Sequence, residues 1–502
     1  MTAVKITKWS AVILGIVAAS VIGAAMAAFL PQVGLKALIA VAIAAAGIVL
    51  ITVAGRPREV LLAAYIAALT YNRQYFSFDD FLGSSGSQGL YWIPADPLLV
   101  LLLATSFFDV RGDQQNAIAY KSFGAVMLPI LPFLAVCCVS TLAALRPDWA
   151  ANDTLRVVKF AVLLGWLHCH MTPSLWKTAV GTLAVIIVVQ SALGILQVLL
   201  KGDASLLAML GLAKQVQSLA NEIENRARGT MGHPNILAPY LLIFVPAAFG
   251  AVLFARNRLV ALGALAVTVL GSAAVFASKS RAPTALLAFA LVVVALIALR
   301  RRVLSPRVAL GGAIVLAGVL AVVMTPILTA VTERIGGDFA ASVKFRADYN
   351  DAALAIWSDY PVLGIGPNNM NVELKRHAPL MAMLVRDADK YRDLGNTRAP
   401  TVHNIYFLML AETGLLGFAS FLFLLIMMLV TAVRAANMTD GTIRGLCFGV
   451  SAGLGAAYLQ QSVDFSMWYD SAWYSLAVLS ALVNTAPAVA AAEANAYRGP
   501  GN

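Results

Sequence analysis

The histidine at position 403 is the residue best placed to do chemistry in this chain. It lies near the end of the longest polar segment, in the stretch RAPTVHNIYFLMLAETGLLGF at 398–418. Pro400 and Thr401 are typical of a helix start, so His403 and Asn404 are predicted in the first turn of a membrane helix. A helix N-terminus disfavours the imidazolium and keeps the ring available as a base. The alternative is an interfacial histidine that only caps the helix.

Two glycines follow His403 at helical spacing. Gly414 comes eleven residues later, about three turns on, and Gly417 continues the same face. Glu412 is about half a turn out of phase and is predicted to point elsewhere. The sequence therefore predicts a face without side chains below the imidazole, where another helix or a lipid can approach closely.

Several arginines in the polar segments could bind an anionic group together. A guanidinium fork matches the oxygens of a diphosphate and stays charged at any working pH. Taken singly, each arginine is better explained by snorkelling or by contact with lipid headgroups, so the prediction depends on the cluster. Its members are Arg226 and Arg228 before the GTMGHPN motif, Arg281 at a helix start and Arg346 on an amphipathic helix.

The remaining candidates are weaker. His233 precedes Pro234 at the start of another apolar run, and it is either a second polar group of the same cleft or a helix cap. Asp79 and Asp80 are interpreted as solvated loop residues rather than a metal-binding pair. His168 and His170 face different directions on a helix, which argues against a metal site. No metal and no cofactor is therefore predicted.

Composition sets the class of protein. The chain is 60% hydrophobic and only 12% charged, with a mean hydropathy of +0.81, which is typical of a polytopic membrane protein. The formal charge of +11 comes from scattered cations, so no nucleic-acid partner is predicted. The four cysteines lie in apolar runs and indicate no disulfide framework. No ATPase or serine-nucleophile motif is present, so the energy for any reaction must arrive in the substrate.

The apolar runs predict the topology. Twelve are long enough to span a bilayer, and the runs at 59–71 and 96–108, about thirteen residues each, are either spans or re-entrant segments. Basic residues in alternate loops place both termini inside under the positive-inside rule, which requires an even count. The predicted spans are 9–30, 34–54, 123–145, 154–172, 175–200, 236–254, 259–277, 282–299, 308–330, 405–433, 442–463 and 467–485.

These patterns predict an all-α polytopic membrane protein with about 12–14 transmembrane helices and one large, partly helical periplasmic loop. Within that loop, a helix is predicted over 342–357 from apolar residues that recur at helical spacing, Val343, Ala347, Leu354 and Trp357. Arg346, Ala353 and Trp357 share a face of this helix. The GIGPNN sequence at 364–369 is typical of turns. The predicted organisation is transmembrane helices over 1–200, a central transmembrane region over 201–330, the large loop over 331–402, transmembrane helices over 403–485 and a flexible tail over 486–502.

The motifs resemble those of the bacterial O-antigen ligase and polymerase family. His403-Asn404, nine residues, Gly414, two residues and Gly417 reproduce a pattern of that family without a gap. Similar features are R-x-x-Y and W-x-D-Y-P-V-L-G-I-G-P at 346–367, GTMGHPN at 229–235 and the Ser-Arg pair at 280–281. The resemblance covers about residues 200 to 435. The first helices match only in being hydrophobic.

The resemblance implies a donor glycan linked through a diphosphate to undecaprenol, on the periplasmic face of the bacterial inner membrane. Ligases pass the glycan to lipid A–core, and polymerases pass it to another repeat unit. It implies transfer without a metal and with inversion, with His403 as base, Asn404 and His233 as possible helpers, and Arg281, Arg228 and Arg346 as diphosphate ligands. Expected partners are the donor, a glycan or lipid acceptor, membrane lipid and other polysaccharide-assembly proteins.

Three functions remain open from the sequence. A lipid-linked glycan ligase comes first, and a polymerase of O-antigen or exopolysaccharide repeat units differs from it only in the acceptor. Fourteen spans, where ligases commonly have twelve, leave that acceptor open. A glycan or lipid transporter is the third, although its usual paired halves and intramembrane carboxylates are not apparent.

Overall fold

The computed structural model describes residues 56–71, 75–76, 91–106, 126–200, 226–303, 338–373 and 402–498. Three predicted spans, 9–30, 34–54 and 308–330, lie outside these residues, as do Asp79 and Asp80. Within the described ranges the protein is helical apart from turns, a short 3₁₀ turn and one antiparallel pair of two-residue strands. An all-α membrane architecture is confirmed.

The elements follow the chain in one order. The first half holds α1 (Pro57–Leu69), β1 (Tyr75–Phe76), β2 (Tyr91–Trp92), α2 (Ala95–Ala104), α3 (Ile130–Leu142), α4 (Pro147–His170), α5 (Pro173–Leu199), α6 (Pro234–Phe254) and α7 (Arg258–Ala277). The second half holds α8 (Arg281–Arg300), α9 (Asp338–Asp359), α10 (Met370–Glu373), α11 (Ile405–Met438), α12 (Gly441–Gln460), the 3₁₀ turn Ser466–Trp468 and α13 (Asp470–Arg498).

Seven of the described helices are long and apolar enough to cross a membrane. They are α5, α6, α7, α8, α11, α12 and the first 26 residues of α13. Each has about twenty residues or more, and twenty residues of α-helix reach about 30 Å, the thickness of the hydrocarbon layer. Helix α6 is the most enclosed of the seven and packs mainly against α12. Glycines at this interface let the two backbones approach, since a Cβ on Gly250 would lie 2.0 Å from the Gly445 carbonyl oxygen.

Three predicted boundaries are wrong. The span predicted at 123–145 contains a helix of only 13 residues, α3, which starts after Pro129. Helix α4 begins at Pro147 rather than at 154, because proline is favoured in the first turn of a helix. Helix α13 continues as regular helix to Arg498 through the region predicted as a flexible tail, and Pro487 does not end it.

The two short apolar runs form an antiparallel helix pair. At one end Arg58 of α1 donates to the Thr105 carbonyl after α2, at 3.4 Å. At this same end Ser174 of α5 donates to Glu59, whereas Gln190, four turns further along α5, donates to Thr70 at the other end of α1. Helix α1 therefore lies alongside the part of α5 between Ser174 and Gln190. With 13 and 10 residues, the two helices are shorter than the twenty residues that cross a hydrocarbon layer.

The loops predicted to face inward lie together at one end of the molecule, here called the basic end. It is defined by Lys177, Arg256, Arg258, Arg300, Arg301, Arg302, Arg434 and Arg444. Lys177 forms an ion pair with Glu493 of α13 at 2.8 Å, and Arg301 donates to Asn437 of α11. The opposite end carries His403 and His233, and we call it the histidine end.

Helix α9 ends at Asp359, close to the predicted end, but it buries a different face. Tyr349, Ala352, Ala353 and Ile356 are buried, whereas Ala347 and Leu354 are exposed. The buried stripe therefore differs from the apolar repeat of the sequence. The cause is that α9 packs against α11, and tertiary contact selects which stripe of a weakly amphipathic helix is covered.

Candidate active site at the histidine end

His403 lies just before a helix rather than in its first turn. Helix α11 begins at Ile405, and Asn404 is its N-cap, accepting from the backbone N–H groups of Tyr406 at 3.0 Å and Phe407 at 3.3 Å. Asn404, rather than His403, therefore caps the helix. Its side chain is half-buried, at the boundary of the protein surface. The prediction of a helix start here is confirmed, and the imidazole lies one residue before the N-cap instead of in the first turn.

The loop between α12 and α13 fixes the position of His403. The Ile405 N–H donates to the backbone carbonyls of Gln461 at 3.1 Å and Asp464 at 3.2 Å. The His403 ring packs edge-on against the Phe465 ring, with centroids 5.8 Å apart and an interplanar angle of 89°. An edge-to-face contact of this kind restricts ring rotation and stabilises one orientation. The base candidate is thus positioned by a loop about sixty residues away.

His233 is both a helix cap and a member of the same site. Its Nδ1 accepts from the Asn235 N–H at 3.1 Å, which makes it the N-cap of α6. The pKa of His233 is lowered to about 4, first by burial and then by the charges of Arg226, His403 and Arg228. His403, Arg226 and Arg228 therefore lie within electrostatic range of His233.

Arg226 holds the site together rather than reaching into it. Its Nε donates to the Ser278 carbonyl at 2.7 Å, and one terminal nitrogen donates to Asn235 Oδ1 at 3.0 Å and Ser280 Oγ at 3.2 Å. Ser280 Oγ also lies 3.0 Å from Asn235 Oδ1. These bonds join the starts of α6 and α8. Arg281, half-buried as the first residue of α8, is thereby placed next to the His233 segment.

Two glutamines of α5 secure the segment that carries Arg228. Gln197 Oε1 accepts from the backbone N–H groups of Arg228 at 3.1 Å and Gly229 at 2.9 Å. Gln190 Oε1 accepts from the Thr230 N–H at 2.9 Å. Gly229 has φ +57°, and a Cβ there would lie 2.3 Å from Gln190 Oε1, so glycine is required. The two glutamines were not predicted to be part of the site. Two amide side chains inside an apolar run are nevertheless a signal of buried polar contacts.

Arg346 lies near a carboxylate that was missed. Its side chain is exposed on α9, and its charge acts on Asp464, the residue before Phe465. Burial raises the pKa of Asp464 to about 6, while the hydrogen bond from the Phe465 N–H, at 2.8 Å, and the Arg346 charge oppose that rise. Asp464 is the lone acidic residue between α12 and the 3₁₀ turn, which is the signal that could have revealed it.

With this geometry established, the comparison with protein families is informative. Residues 266–422 match the family model described as O-antigen ligase. Over these residues the chain is similar to the O-antigen ligase family. The match includes Arg281, Arg346, His403, Gly414 and Gly417. No curated protein matches the chain.

Within the O-antigen ligase domain, Gly414 does not form the predicted open face. It has φ +64° and ψ −169° and breaks α11 into two helical parts. The segment 361–366 fills this break, because Leu415 N–H donates to Pro361 O at 2.9 Å and Gly366 N–H donates to Glu412 O at 2.9 Å. A Cβ on Gly414 would lie 2.3 Å from the Val362 carbonyl oxygen. The prediction of a shared face with His403 is therefore wrong.

Gly417 has a similarly local role in the ligase domain. A Cβ at this position would lie 2.1 Å from Thr413 Oγ1, on the other side of the break. The part of α11 that follows Gly414 still has 24 residues, about 36 Å, and is long enough to cross a bilayer alone. The short part before it, which starts beside His403, belongs with the segments of the histidine end.

Glu412 fixes the turn that fills the break. One carboxylate oxygen accepts from the Met370 N–H at 3.1 Å, and the backbones of Asn368 and Asn369 also hydrogen-bond to it. Its own carbonyl accepts from Gly366. No partner was predicted for Glu412, but the structure places it at the contact between α11 and the GIGPNN turn.

A buried ion network supports the Phe465 loop from below. Arg156 of α4 lies 2.9 Å from Asp470 and 3.3 Å from Asp153, and it donates to the Trp468 carbonyl. Asp153 accepts from the Trp468 indole N–H at 3.0 Å, and Tyr91 donates to Asp470. This network was not predicted from the sequence. Its residues lie outside the O-antigen ligase match. Buried charges are tolerated only when paired and hydrogen-bonded in this way.

The other titratable residues do not join the site. His168 is buried on α4, and His170 contacts Ser106 at 3.2 Å and the Trp166 carbonyl at 2.9 Å. Among the described residues, no group of three His, Cys, Asp or Glu side chains could hold a metal ion. The arginines of the histidine end are the groups available there for an anionic substrate.

Proposed function

We propose that the protein is a membrane glycosyltransferase of the O-antigen ligase type. It transfers a glycan from undecaprenyl diphosphate to an acceptor hydroxyl, such as one on lipid A–core, by metal-independent inverting transfer. The observation that supports this best is the convergence of His403 with His233 and the 226–228 arginines at one end of a helical membrane protein. The ligase domain contributes His403, Arg281 and Arg346 to that end.

The reaction needs one base and one anion-binding group. An unprotonated imidazole nitrogen of His403 takes the acceptor hydroxyl proton as the oxygen attacks the anomeric carbon. The bond from that carbon to the diphosphate oxygen breaks with inversion, and the diphosphate leaves with the bonding electron pair. Arg228 and Arg281 neutralise the developing charge, with Arg346 assisting from α9. Arg226 positions them through its bonds to Ser278, Ser280 and Asn235.

His233 is better suited to donate than to accept a proton. Its Nδ1 is occupied as an acceptor from the Asn235 N–H, so the neutral ring carries its proton on Nε2. With a pKa of about 4, the ring remains neutral at physiological pH. An Nε2–H donor can hold a sugar hydroxyl or a diphosphate oxygen. This supports His403, rather than His233, as the base.

The proposed location is the bacterial inner membrane, with the histidine end in the periplasm. The basic end supports this orientation, since cytoplasmic loops carry an excess of Lys and Arg. Single-cysteine labelling with a membrane-impermeant reagent tests it. A cysteine at exposed Ser358 of α9 should be labelled in cells with a permeabilised outer membrane, and a cysteine at Asn257 should not. The opposite pattern would reverse the orientation.

The glycans of a deletion strain test the function. Accumulation of full-length chains on undecaprenyl diphosphate, restored by the wild-type gene and not by His403→Ala, is expected for a ligase. Accumulation of single repeat units would instead identify a polymerase with the same chemistry. Unchanged envelope glycans and lipid-linked intermediates would contradict a transferase function.

A further inference from the structure

The basic end contains a cavity that the transfer reaction does not use. It has a volume of about 560 Å³ and lies where α8, α11 and α12 meet. Its walls are Ile297, Arg300 and Arg301 at the end of α8, Val433 and Asn437 near the end of α11, and Phe448 of α12. We propose that this cavity binds an anionic phospholipid of the surrounding bilayer, with the phosphate at the arginines and an acyl chain along α11.

The cavity lies at the depth of lipid headgroups. Helix α8 has 20 residues between Arg281 at the histidine end and Arg300 at the cavity. That length corresponds to about 30 Å, one hydrocarbon thickness. If the histidine end meets one membrane surface, the cavity therefore meets the other. Basic pockets between transmembrane helices on the cytoplasmic side are suited to anionic lipid headgroups.

Two guanidinium groups of different character face this cavity. Arg301 lies over the Phe448 ring at 5.5 Å and donates to Asn437 Oδ1, so its orientation is set before any ligand arrives. Arg300 is exposed, and no hydrogen bond or ion pair joins it to another described residue. Its donors are available to a phosphate. Arg301 thus provides a preoriented guanidinium group, and Arg300 provides one that can adapt to a ligand. Guanidinium groups are well matched to phosphate oxygens.

Arginine at the end of a membrane helix has a simpler explanation that must be weighed. Positive charge complements the helix C-terminus and satisfies the positive-inside rule without any ligand. That explanation accounts equally for Arg258 and Arg434, which are exposed at the same end and do not line the cavity. It does not account for Arg301 being held between an aromatic ring and an amide beside apolar walls. The two pairs of arginines can therefore be compared directly.

An apolar surface leads from the cavity into the membrane. Val433 lines the cavity and is 40% exposed, and Ile426 and Phe423 are exposed on the same face of α11, seven and ten residues earlier. From Val433 to Phe423 this stripe extends about 15 Å, half the hydrocarbon thickness. A phospholipid with its phosphate at Arg300 and Arg301 has space for an acyl chain along this stripe. Two arginines next to an exposed apolar stripe are expected for a phospholipid site, whereas a site for a free anion needs only the arginines.

Native mass spectrometry of the full-length protein in a neutral detergent tests the proposal. Phosphatidylglycerol and phosphatidylcholine with the same acyl chains are titrated separately, and bound lipid is counted. We expect wild-type protein to bind phosphatidylglycerol about tenfold more tightly, because the arginines attract its net negative charge. R300Q/R301Q should lose that preference. The control R258Q/R434Q removes the same charge at the same end and should keep it.

The outcomes separate the alternatives. Equal loss in both double variants would show a general surface charge effect and overturn the proposal, as would a wild-type protein without preference. Displacement of phosphatidylglycerol by millimolar inorganic phosphate would reduce the cavity to an anion site and would also contradict it. If R300Q/R301Q does not fold, R300Q alone replaces it, because Arg300 has no described partner to lose. Transfer activity is not the readout, so this test is independent of the proposed function.

Discussion

The imidazole of His403 and the phenyl ring of Phe465 meet edge to face, with centroids 5.8 Å apart, and this contact orients the proposed base. Phe465→Leu removes the ring but keeps an apolar side chain. We expect roughly a tenfold to hundredfold loss of kcat at unchanged protein yield, because small errors of position slow transfer steeply. Phe465→Tyr keeps the ring and should stay within about threefold of wild type. Equal activity of Phe465→Leu and wild type would show that the contact is incidental.

Arg281 tests the anion-binding part of the mechanism. Arg281→Lys keeps the charge but loses the bidentate fork. Loss of one transition-state contact costs about 2.7–4 kcal/mol, so a hundredfold to thousandfold decrease in rate is expected. Arg258→Lys at the basic end is the matched control and should have no effect. Near-normal transfer by Arg281→Lys would indicate that this residue only anchors α8.

Gly414 tests the break in α11. Alanine would be forced into φ +64° and ψ −169°, a conformation that non-glycine residues rarely adopt, with its Cβ 2.3 Å from the Val362 carbonyl oxygen. Gly414→Ala should therefore reduce the yield of folded protein and lower its thermal unfolding midpoint. Gly455 of α12 has no atom within 4 Å of its Cβ position, so Gly455→Ala should be neutral or slightly stabilising. Similar midpoints for both variants would contradict the described break.

Because the pKa of His233 is lowered in the folded protein, we predict that the stability of the protein depends on pH. This pKa is about 4 in the folded protein and 6.5 otherwise, so the unfolded chain binds more protons between these values. The free energy of unfolding should consequently fall as the pH drops through this window, by about 2 kcal/mol between pH 7 and pH 5. His233→Asn keeps an N-cap but does not titrate. Its unfolding midpoint should depend less on pH over this range, and an unchanged dependence would assign the effect to other groups.

The sequence predicted the elements of the site better than their contacts. His403, Arg228, Arg281 and His233 could be named as candidates because each lies beside a helix start with a recognisable motif. Their convergence followed from the alternation of apolar spans. Local patterns are enough for conclusions of this kind.

Contacts between distant segments could not be predicted in the same way. Phe465 and Asp464 lie in an aperiodic loop, and no local rule joins them to His403. Gly414 was assigned to a regular helix, because the segment that fills the break is about fifty residues earlier in the chain. The Arg156 network was missed because its partners come from α4, β2 and the start of α13.

The identity of the base is the central claim of this account. Transfer of a lipid-linked glycan by purified His403→Gln in lipid vesicles tests it most directly, since glutamine keeps a polar side chain but cannot take the acceptor proton. Removal of a general base typically costs a hundredfold to ten-thousandfold in rate. We predict a loss in that range, at normal yield and with the donor still bound. Retention of most of the activity would show that His403 only positions substrate, and the proposed mechanism would then be wrong.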